Sequence, residues 1–421
     1  SQEKVLREIG RDLKKNIPML RLLQGDVGSG KTVVSAFTAL HALESNNQVA
    51  LMVPTELLAE QHFQTFSLWF EKIDVEVLLV TGKSTKSERD AYHKVLGNKQ
   101  RVIAIGTHAL FQKDITFSNL GLIIIDEQHR FGVHQRLSLL DKGIADDSIP
   151  HQLIMTATPI PRTLAMTVYA DLDLSIIDSP PPNRQAINTV VLSNDRRDEI
   201  IARIRAACQR GRQVYWVCTL IEESEVLQCQ TASETFQQLT EKLHDLHIGL
   251  IHGRMKNKEK EDIMASFKEN KTQLLVATTV IEVGVDVPNA SLMIVENAER
   301  LGLFQLHQLR GRVGRGNINS DCVLMYQAPL GELARSRLET MRETNDGFEI
   351  AEKDLALRGP GELTGTRQTG LPDLRIADIL RDANLLADVQ RAAKLLQQKY
   401  PQHIDPLIKR WIGKELEYSH V

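Results

Sequence analysis

One eight-residue stretch near the start of the 421-residue chain constrains its fold more than any other: GDVGSGKT, from Gly25 to Thr32. The apolar run MLRLLQ precedes it, and VVSAFTALHAL, with the period of an amphipathic helix, follows it. Glycines in such a loop let backbone N–H groups turn towards phosphates without a Cβ clash. Strand, glycine-rich loop and helix in this order predict a nucleotide-binding loop on an α/β fold.

The side chains of this loop indicate how it binds ATP and Mg²⁺. Lys31 carries a positive charge for the β- and γ-phosphates, and the Thr32 hydroxyl is a ligand for Mg²⁺. The start of the following helix adds the positive end of its dipole. The predicted nucleotide contacts are Gly25, Asp26, Val27, Gly28, Ser29, Gly30, Lys31 and Thr32.

A second motif, LIIIDEQH from Leu122 to His129, ends an apolar strand with two adjacent carboxylates. Ligands of parallel sheets bind at the carboxyl ends of the strands, so both side chains are expected beside the phosphate loop. Asp126 is predicted to hold Mg²⁺, and Glu127 to orient and deprotonate the attacking water. A DE pair alone is a weak signal, but a DE pair that follows a phosphate loop is a strong one.

Apolar runs without alternation recur along the chain, which is typical of parallel strands buried on both faces. The first set lies at 48–53, 75–80, 102–106, 122–126 and 152–156, and the second at 213–218, 248–252, 273–278, 291–296 and 322–326. The turn-rich DSPPPNRQ at 178–185 separates the two sets. We therefore predict α/β domains at 1–180 and 181–330, the second a copy of the first architecture, and a helical region at 331–421.

Three arginines stand among glycines in QLRGRVGRG, from Gln308 to Gly316: Arg310, Arg312 and Arg315. A basic surface turn is the plain interpretation. A nucleotide hydrolase, however, needs a cation near the γ-phosphate, and an arginine from outside the phosphate loop supplies it. If the second domain faces the first, these arginines reach the nucleotide when the cleft closes.

Composition limits the remaining function classes. The net charge of −3 gives no global basic field, so a nucleic-acid site must be a local patch. The four cysteines form no CxxC pair and are interpreted as lone thiols in a reducing cytosol. No apolar run approaches the length of a membrane span. The chain starts abruptly with SQEKVLREIGRDLKK, and we expect a piece of a longer protein.

Seven stretches, in the usual order, resemble the motifs of superfamily 2 helicases. They are GDVGSGKT (25–32), PTELLAEQ (54–61), GTHAL (106–110), DEQH (126–129), TATPIPRT (156–163), ATTVIEVGVDVPNA (277–290) and QLRGRVGR (308–315). The resemblance implies two tandem RecA-like domains with parallel sheets, helices on both faces and a nucleotide between them. It also implies hydrolysis of ATP coupled to movement on nucleic acid.

The resemblance assigns further roles to individual residues. Those implied to grip a DNA strand are Pro54, Thr55, Thr107 and His108. Those implied to link hydrolysis to strand movement are Thr156 and Thr158, and those implied to sense nucleotide and DNA are Gly284 and Asp286. The finger motif is represented by Gln308, Arg312 and Arg315, with Arg315 as the first choice for the γ-phosphate. Gln2 matches a glutamine that reads adenine.

After the second domain, TNDGFEIAEKDLALRGPGELTGTRQTG (344–370) resembles the translocation motif shared by the RecG and transcription-repair coupling families. It implies a helical hairpin at roughly 331–356 and a loop that reaches back towards DNA. Arg358, Arg367 and Gln368 are implied to tie that loop to the hairpin or to phosphates. The GTRQ extension and DEQHRFGVHQR favour the RecG family.

Membership of the RecG family would imply a DNA repair and recombination motor. Its expected substrates are duplex DNA and branched DNA, that is, replication forks and Holliday junctions. A single-stranded-DNA-binding protein is a further expected partner. We expect a monomer without a membrane partner, in the bacterial cytoplasm at the nucleoid. Without the family's N-terminal wedge domain, the chain would be the motor portion and would recognise branches poorly.

Three alternatives remain at this point. A transcription-repair coupling translocase would have RNA polymerase as its partner, and GTRQ argues against it. An RNA-acting helicase is disfavoured only by the family resemblance, because phosphate contacts are similar in RNA and DNA. A nucleic-acid-binding module without catalysis is disfavoured by the presence of Lys31, Asp126, Glu127 and the arginines. The segment 375–400 has the pattern of an amphipathic helix that we expect to pack on the motor, with a partner-binding tail as the alternative.

Overall fold

The structure is a computed structural model of the chain. It describes residues 1–421 apart from 16, 83, 99–100, 113–114, 128–141, 143–148, 157–171, 179–185, 220–224, 280–286, 315, 317, 359–381, 383–384 and 413–421. The helices are α1 Gln2–Asp12, α2 Lys31–Glu44, α3 Glu56–Phe70, α4 Lys86–Asn98, α5 Arg197–Gln209, α6 Glu225–Lys242, α7 Asn257–Lys268, α8 Leu303–Arg310, α9 Glu332–Glu343, α10 Gly347–Arg358, α11 Leu386–Lys399 and α12 Ile404–Ile412. No described helix is both long and apolar enough to cross a membrane.

Two parallel sheets organise the chain. The first contains β1 Leu20–Gly25, β2 Gln48–Met52, β3 Glu76–Val80, β4 Val102–Gly106, β5 Leu120–Asp126, β6 His151–Thr156 and β7 Asp173–Ile177. The second contains β8 Asn188–Ser193, β9 Gln213–Val217, β10 Ile248–Ile251, β11 Leu274–Ala277, β12 Ala290–Val295 and β13 Asp321–Tyr326. Each of the two sheets forms the centre of an α/β domain.

The two sheets repeat one topology. The first has the order β3-β4-β2-β5-β6-β1-β7, and the second has the order β10-β11-β9-β12-β13-β8. When β8 to β13 are matched in turn to β1 to β6, the orders are identical, and β7 is an addition at the edge of the first sheet. The predicted copy of one architecture is therefore confirmed, with parallel pairing between neighbouring strands in both sheets.

Burial on both faces explains the continuous apolar runs. In β5, Leu122 and Ile124 belong to the core that also contains residues of α1, α2 and α3. Ile123 and Ile125, which point to the opposite face, belong to the core on the side of α4. Each apolar run that we assigned to a strand coincides with a strand of the sheets, and MLRLLQ overlaps β1.

The sequence did not predict β7 and β8. Both lie at the edge of their sheets, where one side of the strand has no neighbour. Their side chains are only partly buried, so neither segment needs a continuous apolar run. The predicted division near residue 180 falls between these two strands, and residues 179–185 lie outside the described residues.

A helical hairpin follows the second sheet, as the sequence predicted. Its helices α9 and α10 pack on the second domain, where Leu338, Met341 and Ile350 are part of the core. Arg337 of α9 donates hydrogen bonds to the carbonyl oxygens of Leu301 and Glu299, at 2.7 and 2.8 Å. The loop predicted after the hairpin lies outside the described residues.

The expectation that segment 375–400 packs on the motor is wrong for the residues that the structure describes. Helix α11 covers part of that segment, and its described side chains are almost all exposed. Val389 and Leu395 are 58% and 47% exposed. Amphipathic spacing establishes that one face is apolar, but it does not establish what covers that face.

Candidate active site

The phosphate loop connects β1 to α2, as predicted. Strand β1 lies between β6 and the edge strand β7, so the loop leaves the carboxyl edge one strand in from the side of the sheet. Gly28 and Gly30 have φ angles of 80° and 90°, a region that side chains with a Cβ rarely adopt. Gly30 caps α2, whose first residue is Lys31. The first turn of α2 therefore presents its N–H groups to the loop, as phosphate binding requires.

Contacts within the loop hold its charged side chains close to it. The Lys31 ammonium donates to the carbonyl oxygens of Gly25 and Asp26, at 2.7 and 3.0 Å. The Asp26 carboxylate accepts from the N–H of Val27 at 2.6 Å. The Ser29 hydroxyl is buried without a hydrogen-bond partner in the structure, and a Cβ on Gly25 would collide with it. The loop thus has the shape of a cradle with a polar atom directed into it.

The carboxylates of the second motif lie at the same sheet edge. Asp126 is the last residue of β5, one strand beyond β6 from the phosphate loop. Glu127 has a φ of 55°, which for a non-glycine residue costs about 1–2 kcal/mol. Its N–H donates to Asp126 Oδ1 at 3.1 Å. Strain of this kind concentrates at functional sites.

His62 is a site residue that the sequence analysis missed. It lies on α3, is 7% exposed, and its Nε2 is 3.2 Å from Asp126 Oδ2. Because a carboxylate only accepts, Nε2–H donates to Asp126. Phe66 packs edge-on against the imidazole, with ring centroids 6.2 Å apart. One indication of His62 was present in the sequence, its position directly after the PTELLAEQ motif. Its contact with Asp126 could not be predicted, because that contact depends on how α3 packs on the sheet.

Gln2, matched to an adenine-reading glutamine, contacts the phosphate loop. Its side-chain amide donates to the carbonyl oxygen of Ser29 at 2.8 Å. A Cβ on Gly30 would overlap the same amide group. Helix α1 therefore seats Gln2 directly on the loop.

The residues predicted to grip DNA lie just after the ends of two neighbouring strands. Pro54 and Thr55 follow β2, and Thr107 and His108 follow β4, which pairs with β2. Thr55 caps α3 by accepting the N–H of Leu58 at 3.3 Å. Thr107 is buried, whereas the neighbouring His108 is exposed. These four residues lie at the carboxyl edge of the first sheet, on the opposite side of β5 from the phosphate loop.

Thr156 ends β6 and is buried in register with Gln24 of β1. Because β6 lies between β5 and β1, Thr156 lies between Asp126 and the phosphate loop at the carboxyl edge. The predicted residues Thr158, Gly284, Asp286, Arg315, Arg367 and Gln368 lie outside the described residues, as does the side chain of Arg358.

Helix α8 of the second domain meets the phosphate loop of the first. His307 Nε2 lies 2.8 Å from Asp26 Oδ1, and His307 is 4% exposed. At the end of the same helix, a Cβ on Gly311 would come within 3.2 Å of Val27, so the backbone approaches the loop closely. Gln308 is buried in this helix, and Arg312 follows it in a half-buried position. The predicted second-domain motif and the phosphate loop are thus brought together.

Arg310 has a different place from that expected for the three arginines of this motif. Its guanidinium is fully buried and donates to the carbonyl oxygens of Met341 and Thr344, both at 2.8 Å. Those carbonyls lie at the C-terminal end of α9. Arg310 therefore holds the helical hairpin, and it is not directed at the phosphate loop.

A cleft of about 520 Å³ separates α3 from α7 and the Pro288 turn. Its lining includes the carboxylates Glu60, Glu261 and Asp262, with Lys268 as the cation. This balance of charges opposes binding of a phosphate backbone. The cleft is an interdomain space whose charge does not favour a DNA strand.

The residues present fit ATP with Mg²⁺. The cradle between Gly25 and Lys31 supplies backbone donors and an ammonium, and the unpartnered Ser29 hydroxyl adds a polar atom. Thr32 and Asp126 would hold Mg²⁺, which prefers hard oxygen ligands in the company of phosphates. The two oxygens of Asp126 are oriented by separate donors, His62 and the N–H of Glu127.

Comparison with known families matches three regions in order. Residues 2–167 match the model of DEAD/DEAH box helicases, and residues 193–317 match the helicase conserved C-terminal domain. Residues 344–416 match the C-terminal part of domain 3 of the ATP-dependent DNA helicase RecG. The third match includes the segment predicted to carry the translocation motif.

Curated relatives named ATP-dependent DNA helicase RecG align over the whole chain. The relative from Haemophilus influenzae is 58% identical and that from Escherichia coli (strain K12) is 56% identical. The chain spans 61% of the length of each of these two relatives.

Two solved structures extend the comparison. A structure of RecG bound to a three-way DNA junction is 44% identical, with a TM-score of 0.75, over 91% of this chain and 50% of that one. Yeast Dbp5 bound to RNA and ADP BeF3 has a TM-score of 0.60 at 13% identity, over 84% of this chain and 92% of that one. The second likeness shows the fold alone, which is that of two RecA-like domains.

Proposed function

Because the chain belongs to the RecG family of helicases, we propose that it is an ATP-driven motor that moves on duplex DNA and remodels branched DNA. The observation that carries the proposal is the contact between the two domains at the phosphate loop. Asp26 of the first domain and His307 of the second lie within hydrogen-bond distance. A nucleotide on the loop would therefore be contacted from both domains.

The proposed chemistry uses residues of both motifs at the sheet edge. Mg²⁺ neutralises charge on the β- and γ-phosphates when it is bound. The backbone of the loop and Lys31 bind and orient the phosphates, and Glu127 orients water and takes its proton. Arg312 and Arg315, which follow α8, contribute cationic charge as the second domain closes on the first.

Movement on DNA is proposed to follow from changes in that closure. Residues Pro54, Thr55, Thr107 and His108 are proposed to contact one strand, with Thr156 and Thr158 linking them to the nucleotide. Gly284 and Asp286 contribute from the second domain. The hairpin α9–α10 and the loop after it, with Arg358, Arg367 and Gln368, turn closure into a step along the duplex. Contacts of this kind are made to phosphates and do not read sequence.

Branched DNA is the proposed substrate of the protein to which this motor belongs. The RecG structure in the comparison is bound to a three-way junction. We therefore propose fork regression and Holliday junction branch migration in DNA repair and recombination, with a single-stranded-DNA-binding protein as partner and action as a monomer at the bacterial nucleoid. We also propose the domain division 1–180, 181–330 and 331–421, and weak branch recognition by this chain alone.

ATP turnover with different nucleic acids tests the proposal. The rate is measured for the 421-residue chain without DNA and with single-stranded DNA, duplex DNA, a model fork and duplex RNA. We expect the largest stimulation with duplex or fork DNA and none in Lys31→Ala. Basal turnover that no DNA stimulates, or that RNA stimulates more than DNA, would contradict the proposed substrate. Salt should lower apparent DNA affinity steeply, because phosphate contacts release counterions.

A further inference from the structure

A continuous polar path leads from the phosphate loop to the helical hairpin through α8. At one end, Asp26 Oδ1 accepts from His307 Nε2 at a distance of 2.8 Å. One helical turn further along α8, Arg310 Nη2 lies 3.2 Å from His307 Nδ1. Arg310 Nη1 then donates to the carbonyl oxygens of Met341 and Thr344. Three side chains thus connect the nucleotide loop to the turn of the hairpin.

Arg310 determines the tautomer of His307. A guanidinium has only donors, so the Arg310 contact requires that His307 Nδ1 be an acceptor without a proton. The proton of the neutral ring is then on Nε2, which can donate to the Asp26 carboxylate. A second proton on Nδ1 would face an N–H of Arg310 and could not be accommodated without breaking that contact. The imidazole therefore has one orientation and one protonation pattern that satisfy both neighbours.

Each end of the path holds a structural element in place, the phosphate loop at one end and helix α9 at the other. The same Asp26 Oδ1 accepts the N–H of Val27, so this carboxylate also shapes the phosphate loop. At the other end, the last carbonyls of α9 lack partners within their own helix, and Arg310 supplies donors to them. His307 and Arg310 are enclosed by protein, because they are 4% and 1% exposed, whereas Asp26 is partly exposed at the loop end of the path. Water therefore cannot replace the contact between His307 and Arg310 unless α8 moves.

We propose that His307 is a positioning residue that couples the state of the phosphate loop to the position of the hairpin. When a nucleotide changes the loop, Asp26 moves relative to His307, and the shared hydrogen bonds transmit that change to Arg310 and the end of α9. The inference rests on the proposed nucleotide site but does not require DNA. His307 touches neither nucleotide nor reacting atoms in this account and acts through Asp26 and Arg310.

Hydrogen–deuterium exchange of the 421-residue chain tests the coupling, with saturating Mg²⁺ and a non-hydrolysable ATP analogue as the probe. In the wild type we expect protection of amides at 25–32 and a several-fold change in exchange at the hairpin turn around 341–346. His307→Phe keeps the ring shape but removes both hydrogen bonds, so it should keep the first effect and lose the second. His307→Gln, which retains a donor and an acceptor, should keep both.

The outcomes separate this inference from the proposed function. Absence of protection at 25–32 in the wild type would overturn both the nucleotide site and the coupling that rests on it. Protection there with an unchanged hairpin, or a hairpin response that survives in His307→Phe, would overturn the coupling alone. If His307→Phe does not fold, Asp26→Ala removes the acceptor and interrupts the same path from the loop side. Loss of the hairpin response with retained protection at 25–32 in that variant supports the proposal, and a hairpin response that survives in it overturns the proposal.

Discussion

His62 donates a hydrogen bond to Asp126, with 3.2 Å between Nε2 and Oδ2. The helix that carries His62 begins just after Thr55, a residue expected at the DNA strand. One rigid helix therefore has an expected DNA contact at its start and a contact with the expected Mg²⁺ ligand two turns later. The geometry links the two sites within the first domain without any contribution from the second.

Replacement of His62 by alanine should raise the Mg²⁺ concentration that ATP turnover requires. Loss of an orienting partner typically lowers metal affinity or activity about 10–100-fold, because the carboxylate is no longer held in position. The measurement is the Mg²⁺ concentration that gives half-maximal ATP turnover. His62→Gln, which can still donate to Asp126, is the matched control. A half-saturation point unchanged in His62→Ala would remove this role from His62.

The arginines after α8 should separate into two classes. Arg315→Ala should lower ATP turnover by about a thousand-fold or more, as expected for loss of an arginine at the γ-phosphate. Arg310→Ala should instead lower the free energy of unfolding by about 2 kcal/mol or more, because buried carbonyls of α9 lose their donor. Turnover and denaturant unfolding are measured on both variants. If Arg315→Ala lowered the free energy of unfolding but left turnover normal, the role assigned to Arg315 at the γ-phosphate would be wrong.

Gln2→Ala should raise the KM for ATP by about ten-fold, since a hydrogen bond on the phosphate loop contributes about 1 kcal/mol and the resemblance adds an adenine contact. The kcat should change much less than the KM. Gln2→Glu is a stricter test, because a carboxylate cannot donate to the carbonyl of Ser29. The KM for GTP, measured in parallel, reports adenine recognition. Equal KM values for ATP in Gln2→Ala and the wild type would contradict the role of Gln2.

Stability should fall as the pH falls through the range in which His151 titrates. Its Nδ1 accepts from the N–H of Met19 at 2.9 Å, which requires that this nitrogen carry no proton. Burial lowers the pKa of His151 below its ordinary value of 6.5, and the nearby Asp12 carboxylate offsets only part of this. Neutral His151 therefore contributes fully to the free energy of unfolding above pH 6.5. This contribution is lost as the pH falls through the lower pKa of the folded state.

Denaturant unfolding at pH 7.5, 6.5 and 5.5 measures this effect. Because other groups also titrate, the informative quantity is the difference between the wild type and His151→Gln. The variant should show the smaller loss of unfolding free energy between pH 7.5 and 5.5. An identical pH dependence in the two proteins would exclude His151 as the source.

Local sequence pattern was sufficient for features that depend on neighbouring residues. The phosphate loop is a contiguous stretch, and the apolar runs report burial on both faces of a strand. His307 could not be predicted, because its partner Asp26 is 281 residues away in the sequence. Arg310 and Arg312 stand two residues apart in one motif. Their different environments are set by the end of α8, since Arg310 is its last residue and Arg312 lies beyond it.

Movement along duplex DNA is the central claim, and displacement of a third strand from a linear DNA triplex measures it most directly. The chain should displace the third strand when ATP and Mg²⁺ are present, and Lys31→Ala should not. Displacement by the wild type should stop when a non-hydrolysable analogue replaces ATP. Duplex-stimulated ATP turnover without any displacement of the third strand would contradict the account of this chain as a translocating motor.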